Sequence, residues 1–166
     1  MLRFVWVLVL ALAAGPLHAG EFQKWTGART PPLSLKGLDG RARTLASVRG
    51  KVVVVNFWAT WCEPCRTELP AFDKLREEFG ERRLEVWGVN YAEPAQRVRR
   101  FLEQVPVGFS VLMDEEGAVS KQWGVRVLPA TFVLGTDGRI RYALRGEIED
   151  GGDGLKKVIR ELLPGT

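Results

Sequence analysis

The pattern of apolar and polar residues divides the chain into a series of strands and helices. Residues 51–59 contain four consecutive valines followed by Asn-Phe-Trp-Ala, which is typical of a strand buried on both faces of a parallel sheet. Over residues 63–79, apolar residues such as Phe72 and Leu75 recur at helical spacing. Pro70 lies inside this predicted helix and is expected to kink it, because proline removes one backbone hydrogen bond.

The remaining elements follow from the same periodicities and from turn residues. In chain order they are a β-hairpin over 33–45 around Asp39-Gly40, a strand over 84–89, a helix over 94–105, a short strand over 109–113, a short helix within 114–124, strands over 131–134 and 139–144, and a last helix that Asp153 is placed to cap. Alternating strands and helices followed by an antiparallel pair predict one mixed α/β sheet with helices on both faces.

The first nineteen residues have the pattern of a secretory signal. Arg3 provides a short basic start, residues 4–14 are apolar, and small residues lead to Ala19. The apolar run is shorter than the roughly 20 residues of a transmembrane helix. A retained signal anchor is the alternative, because Leu17 is less typical than alanine three positions before the cleavage point. We expect cleavage after Ala19.

Length and composition indicate a single folded domain. The chain has 166 residues, of which 46% are apolar and 27% charged, so it can bury a core. The net charge of +4 is modest and the basic residues are scattered, which argues against a nucleic-acid partner. We expect a signal segment over residues 1–19, a linker or an arm over 20–31, and one domain over 32–166.

The scarcity of cysteine and histidine limits the possible chemistry. The chain has two cysteines, Cys62 and Cys65, and its one histidine, His18, lies in the predicted signal segment. Without that segment, serine–histidine or cysteine–histidine catalysis and a zinc site made of the usual nitrogen and sulfur donors are excluded. A disulfide between residues this close would close too short a loop to act as a structural bridge.

The sequence Trp-Cys-Glu-Pro-Cys at residues 61–65 joins the buried strand to the following helix. Cys62 falls at or before the first helical turn, where free N–H groups and the helix dipole favour a thiolate, the nucleophilic form of cysteine. We expect Cys62 to be partly exposed and Cys65, one turn later, to be more shielded. A redox pair is the favoured interpretation; a Cu(I)-binding pair and two unconnected buried thiols are the alternatives.

Residues 51–70 resemble the active-site strand and helix of thioredoxin-like proteins, and more narrowly those of the exported TlpA/ResA group of thiol–disulfide oxidoreductases. Residues 38–51 resemble the hairpin and lead-in that this group adds, and residues 124–132 resemble its cis-proline segment. The resemblance covers roughly residues 31–163. It implies a thioredoxin-like three-layer α/β/α fold with a mixed central sheet and an added N-terminal β-hairpin.

The resemblance also implies a role for each residue that matches the family pattern. Cys62 would be the attacking thiol and Cys65 the resolving thiol, and Pro70 matches the kink proline of the active-site helix. Pro129 would be the cis-proline that faces the disulfide and helps hold an extended substrate. The implied substrate contacts are Trp61, Glu63, Pro64, Leu128 and Pro129.

Two further residues concern proton transfer. Glu68 matches an acid that ResA-type proteins keep beside their cysteines, where it could exchange a proton with a thiol. The alternative is an exposed glutamate that merely suits the first turns of a helix. Asn56 stands where thioredoxin has a buried aspartate, and since asparagine cannot titrate, any proton relay would fall to Glu68. Glu63 adds a negative charge that should oppose the Cys62 thiolate.

The function implied by the resemblance is that of an exported thiol–disulfide oxidoreductase in the periplasm. It would pass electrons from a membrane thiol donor to disulfides of exported proteins, apocytochrome c being the usual target of relatives. No cofactor beyond the redox-active disulfide, no metal and no nucleic acid is expected, and membrane contact only if the signal segment is retained. A copper chaperone remains an alternative, although such relatives carry a distant histidine. A thiol peroxidase is another, although Ala59 stands where that chemistry has threonine.

Overall fold

The computed structural model describes residues 20–27, 29–149 and 151–165. The elements are β1 (Gln23–Lys24), β2 (Ser34–Lys36), β3 (Ala42–Thr44), a 3-10 turn (Leu45–Val48), β4 (Val52–Trp58), α1 (Glu63–Phe79), β5 (Leu84–Tyr91), α2 (Ala95–Gln104), β6 (Ser110–Asp114), α3 (Ala118–Gln122), β7 (Ala130–Leu134), β8 (Ile140–Arg145) and α4 (Asp153–Leu162). A six-stranded sheet has the order β1-β8-β7-β4-β5-β6, and β2 and β3 form a separate hairpin. The predicted mixed sheet and N-terminal hairpin are confirmed.

The strand β4 is buried along its whole length. All seven of its residues are buried, since β5 pairs with it in parallel on one side and β7 antiparallel on the other. Its even-numbered valines and Trp58 pack into the core on one face of the sheet, and its odd-numbered valines and Phe57 into the core on the other. The continuous apolar run in the sequence therefore reflects a strand enclosed by two layers.

Protein layers cover both faces of the sheet, as predicted. One face packs against α1, α2 and α4, which contribute Phe72, Val98 and Leu155 to the core. The other face packs against Trp123, which directly follows α3, and against Leu33 from the N-terminal part of the domain. The result is a three-layer α/β/α arrangement with β4 at its centre.

The helix α1 begins immediately after the first cysteine. Cys62 occupies the N-cap position with an extended backbone, and its sulfur accepts a hydrogen bond from the Cys65 N–H at 3.3 Å. Pro64 lies in the first turn, where its missing N–H costs no intrahelical bond. The helix continues past Pro70 and ends at Phe79, and it is followed by the C-cap Gly80, whose φ of 76° is readily adopted by glycine.

Short segments of the chain lie against the long strands β8 and β6 near the two sides of the sheet. At one edge β1 pairs antiparallel with β8. This strand lies within residues 20–31, which the sequence interpretation treats as a linker or an arm. At the other edge, the hairpin meets β6 through a bridge between Gly37 and Leu112 and through a hydrogen bond from the Leu38 N–H to the Val111 carbonyl.

The start of α4 differs from the prediction. The sequence places Asp153 at the cap, but Asp153 is the first helical residue and Gly152 holds the N-cap position. Gly152 has a φ of 94°, which glycine adopts without the steric clash of a Cβ atom. Asp153 instead lies in the first turn, where its negative charge still suits the helix dipole.

The predicted signal segment, residues 1–19, lies outside the described residues. Across the ranges that the structure does describe, no helix is both long enough and apolar enough to span a membrane.

Phe132 provides a test of the core on the side of the sheet away from α1. Its buried ring lies 5.7 Å from the ring of Phe57, 5.1 Å from Trp123 and 5.8 Å from Trp25. We expect Phe132→Ala to lower the free energy of unfolding by about 3–5 kcal/mol, because it removes a buried ring and leaves a cavity. Val127→Ala, at a half-exposed residue, should change it by less than about 0.5 kcal/mol in the same urea titration. Equal losses in both variants would contradict this packing.

Candidate active site

The two cysteines form a disulfide at the N-terminus of α1. Their sulfur atoms are 2.09 Å apart and their Cα atoms 5.3 Å apart. Cys62 is 5% exposed and Cys65 is 0% exposed. Cys65 is therefore the more shielded cysteine, as expected, but Cys62 is buried and the expectation that it is partly exposed is wrong. The first turn of the helix points its free N–H groups toward Cys62, which favours a thiolate there once the bond is reduced.

Glu68 projects into the protein interior one turn after Cys65. It is 6% exposed, and its carboxylate accepts hydrogen bonds from the Asn56 side-chain amide at 2.8 Å and from the Ile148 N–H at 3.3 Å. Burial raises the pKa of Glu68 from 4.5 to about 7, against the lowering effect of these two bonds, and the nearby charge of Glu147 raises it further. The alternative of an exposed glutamate is therefore wrong.

Asn56 links Glu68 to the opposite strand. It lies on β4 directly opposite Thr131 on β7, and its Nδ2 also donates to the Thr131 hydroxyl at 3.1 Å. Asn56, Glu68 and Thr131 are all buried. The amide oxygen of Asn56 has no hydrogen-bond partner among the described residues.

A second buried carboxylate anchors the segment before Cys62. Glu93, in the loop between β5 and α2, accepts hydrogen bonds from the Thr60 N–H at 2.7 Å, the Thr60 hydroxyl at 2.5 Å and the Asn90 amide at 2.8 Å. The Arg97 guanidinium pairs with the same carboxylate at 3.0 Å. Since Thr60 lies two residues before Cys62, Glu93 ties the β4–α1 loop to the β5–α2 loop.

The peptide bond between Leu128 and Pro129 is cis, as the resemblance implied. Pro129 directly precedes β7, whose first residue Ala130 lies opposite Phe57 near the end of β4. The cis-proline and the cysteine pair are therefore at the same end of the sheet.

An open cavity of about 370 Å³ adjoins this end of the sheet. Its walls are Trp61, Tyr91, Val125, Arg126, Val127 and Leu128. Within the described ranges, Trp61, Tyr91 and Val127 are the large apolar side chains that remain exposed, at 59%, 37% and 50%. Because all three gather around one cavity next to Cys62, this surface suits an apolar segment of another molecule.

The predicted substrate contacts fall into two groups. Trp61 and Leu128 line the cavity, with Pro129 next in the chain, whereas Glu63 and Pro64 are not among its walls. The exposed Glu63 carboxylate pairs with Arg66 at 2.9 Å, which offsets part of the negative charge expected to oppose the thiolate.

The sequence did not point to Glu93, Thr60 or Tyr91, and it placed residues 125–127 in the cis-proline segment without assigning them to a binding surface. These residues act through contacts between distant parts of the chain, such as the bond between Thr60 and Glu93. The sequence does contain a signal for two of these residues. Tyr91 and Glu93 stand at the carboxyl end of β5, and parallel strands bring their carboxyl ends to the same edge of the sheet.

The described residues contain no group of three or more histidine, cysteine, aspartate or glutamate side chains arranged to hold a metal ion.

Known proteins share both the sequence and the fold. The AhpC/TSA family profile matches residues 26–143. The chain is 33% identical over 169 residues to the thiol-disulfide oxidoreductase ResA of Geobacillus thermodenitrificans (strain NG80-2), which covers 99% of this chain and 96% of that one. A Chlorobium tepidum structure assigned as thiol:disulfide interchange protein DsbE has a TM-score of 0.77 and 27% identity, covering 86% of this chain and 99% of that one. The exposed lipoprotein thioredoxin Etrx1 of Streptococcus pneumoniae strain TIGR4 has a TM-score of 0.70 and 26% identity, and the match covers 79% of this chain and 99% of that one.

The buried Glu68 carboxyl makes stability depend on pH. Below pH 4.5 the Glu68 carboxyl is protonated in both the folded and the unfolded state. Between pH 4.5 and about pH 7 the unfolded chain releases this proton, whereas the folded protein retains it. Stability therefore falls as the pH rises through this window, by about 3 kcal/mol. Urea unfolding of the oxidised protein between about pH 4 and about pH 8 should show this fall in the wild type and not in Glu68→Gln.

Glu77→Gln is the matched control, because it makes the same exchange at an exposed position of the same helix. Its unfolding free energy should follow that of the wild type across the pH range. Parallel curves for the wild type and Glu68→Gln would contradict the raised pKa.

Proposed function

Because the chain belongs to the AhpC/TSA family and is a thiol–disulfide oxidoreductase of the ResA/DsbE type, we propose that it reduces disulfides of exported proteins in the periplasm. The proposed substrate is apocytochrome c, whose Cys-x-x-Cys-His segment must be reduced before haem attachment, and the proposed electron donor is a membrane thiol protein. The position of Cys62 carries this proposal: it is the less buried cysteine of the disulfide, and it directly follows Trp61, a wall of the exposed apolar cavity.

The proposed exchange proceeds in two steps. The Cys62 thiolate of the reduced protein attacks one sulfur of the substrate disulfide; a mixed disulfide forms and the second substrate sulfur leaves as a thiolate. Cys65 then attacks the Cys62 sulfur, which closes the disulfide of the structure and releases the first substrate sulfur. Two electrons pass from the protein dithiol to the substrate, and the membrane donor restores the dithiol.

The roles of the two cysteines follow from their different surroundings. Cys62 caps α1 and receives the N–H of Cys65, which stabilises negative charge on its sulfur. Cys65 is fully buried, so a second protein cannot reach it and its partner is the sulfur of Cys62. We therefore take Cys62 as the attacking and Cys65 as the resolving thiol.

Glu68 is the proposed proton acceptor for Cys65. The two residues are three apart on α1 and share a face of the helix, with their Cβ atoms about 5–6 Å apart. A carboxyl with a pKa of about 7 is close to half ionised at neutral pH, so it can take the Cys65 proton and later release it. Burial of the thiol makes a nearby base necessary, because water does not reach it.

The apolar cavity is the proposed docking surface for the substrate chain. Trp61 and Leu128 form walls close to Cys62 and Pro129, and Tyr91 and Val127 extend the apolar surface beyond them. An extended substrate next to the cis-proline would bring its disulfide over Cys62. The Glu-Pro pair between the cysteines, Glu63 and Pro64, resembles that of relatives that act reductively.

Residues 1–19 are the basis for the proposed location. We take them as a signal that directs export, with an inner-membrane anchor as the form that results if they are retained. The residues before β1 would then connect this segment to the folded domain, whose sheet already includes β1.

Removing the resolving thiol should trap the mixed disulfide. In cells, Cys65→Ser is expected to accumulate covalent, reductant-sensitive adducts with exported proteins, because the second step cannot occur. Cys62→Ser is the matched control and should give few adducts. Non-reducing gels and mass spectrometry identify the trapped proteins, and the proposal expects peptides with Cys-x-x-Cys-His among them.

Other outcomes of the same experiment favour the alternatives. A copper chaperone would lose metal with either substitution and trap nothing, and a peroxidase would form sulfenic acid with peroxide rather than protein adducts. A folded, expressed Cys65→Ser protein without adducts would contradict the proposed reaction.

The proposed role of Glu68 is tested by the pH dependence of the resolving step. With the reduced protein and a disulfide peptide, the rate of the second step should rise with pH around 7, where Glu68 ionises. We expect Glu68→Gln to remove this inflection and to slow the step at neutral pH by roughly 10-fold to 100-fold. Stopped-flow fluorescence measures the rate, and Glu77→Gln should retain the wild-type profile. An inflection that survives in Glu68→Gln would rule Glu68 out as the base.

A further inference from the structure

Asn56 has a feature that the proposed reaction leaves unexplained. It interrupts an otherwise apolar buried strand, and its amide nitrogen donates to both Glu68 and Thr131. Its amide oxygen, also buried, has no partner among the described residues. An unpaired buried oxygen is costly and uncommon in folded proteins, so its presence beside a titrating carboxyl calls for a physical reason.

The two partners of this amide can both reverse their hydrogen-bonding roles. Glu68 accepts when it is ionised and can donate when it is protonated, and the Thr131 hydroxyl can do either. A half-turn of the Asn56 amide exchanges the places of its nitrogen and oxygen. The carboxyl O–H of Glu68 and the hydroxyl of Thr131 would then both donate to the amide oxygen. Each orientation makes two hydrogen bonds and leaves one end of the amide unpaired.

We propose that Asn56 is a positioning residue whose amide turns over when Glu68 gains or loses a proton, so that the carboxyl keeps its place behind Cys65 in both states. The inference rests on the proposed role of Glu68 as the proton acceptor. An amide satisfied at both ends would be locked in the orientation that suits one protonation state. The unpaired oxygen leaves Asn56 free of that restraint.

No other group around Glu68 can serve as a hydrogen-bond partner that matches its carboxyl in both protonation states. The Ile148 N–H donates to the second carboxylate oxygen and can match only an acceptor. Glu147, in the same β8–α4 loop, adds a like charge near Glu68. Among the buried residues of its own helix, Cys65 is the other titratable group, three positions earlier, and Cys62 caps the helix. The strands β4 and β7 contribute the neutral Asn56 and Thr131.

The first test follows the titration of Glu68 itself in the oxidised protein, where no thiol titrates. Carbon-13 NMR of the side-chain carboxyl should place the midpoint in Asn56→Leu about one unit above that of the wild type, a roughly tenfold tighter hold on the proton. The shift is upward because the ionised form loses the stronger, charge-assisted bond. The pH profile of the resolving step should move upward by the same amount.

Asn90→Leu is the matched control. Asn90 is also a buried amide that donates to a buried carboxylate, Glu93, and its oxygen too lacks a partner among the described residues. The variant makes the same chemical exchange on the neighbouring strand, so it should lose stability without moving the midpoint of Glu68. An unmoved midpoint in folded Asn56→Leu, or equal shifts in both variants, would overturn the proposal.

The second test uses the wild-type protein and needs no variant to fold. Above the midpoint, the amide protons of Asn56 face Glu68, and nuclear Overhauser contacts to the Cγ protons of Glu68 are expected. Below the midpoint these contacts should disappear, because the nitrogen has turned away. Contacts that persist unchanged across the titration would overturn the proposal.

The proposed base, Glu68, and the proposed turning amide of Asn56 can be disproved separately. If Glu68→Gln leaves the resolving step unchanged, the proposed base is wrong and the positioning role of Asn56 in the reaction falls with it, whatever the NMR shows. If Glu68→Gln alters that step while the Asn56 contacts persist through the titration, the base stands and the turning amide is wrong.

Discussion

The seven residues of β4 lie between β5 and β7 in the middle of the sheet, with core side chains packed on both faces. A strand in this position cannot shift by one residue without moving every side chain to the wrong face. The point at which it ends is therefore fixed. Cys62 is the N-cap of α1 and lies four residues after Trp58, the last residue of β4, so the register of a strand that contains no reactive group holds Cys62 at the helix N-terminus.

The buried carboxylates of Glu93 and Glu68 have different hydrogen-bond partners. Glu93 accepts hydrogen bonds from Thr60 and Asn90 and pairs with the cationic Arg97, and these contacts hold the loop before the cysteine. Glu68 receives two neutral donors, and burial dominates its pKa. Glu93 therefore fixes the geometry of a loop, and Glu68 is the proposed site of proton exchange.

The sequence supports prediction where contacts are local. The valine run, the position of Cys62 at a helix start and the turn residues of the hairpins follow from periodicity and local geometry, and the cis bond at Pro129 follows from the family resemblance. Residues that act through long-range contacts are harder to predict. Whether Glu68 faces solvent or the core depends on the packing of α1 against Asn56 and Ile148. The apolar cavity needs Tyr91 and residues 125–127 to meet in space, which no local pattern specifies.

The covered edges of the sheet also bear on what this protein can bind. Its proposed clients are extended, incompletely folded chains, which readily add as an extra strand to any open sheet edge. Here β1 pairs with β8, and the β2–β3 hairpin meets β6, so each of these two longer strands has a partner from the protein itself. Where these partners occupy β8 and β6, they disfavour pairing with a client's backbone, which would not depend on the client's sequence. The proposed recognition therefore relies on the side chains near Cys62, from which a client could leave once its disulfide has been reduced.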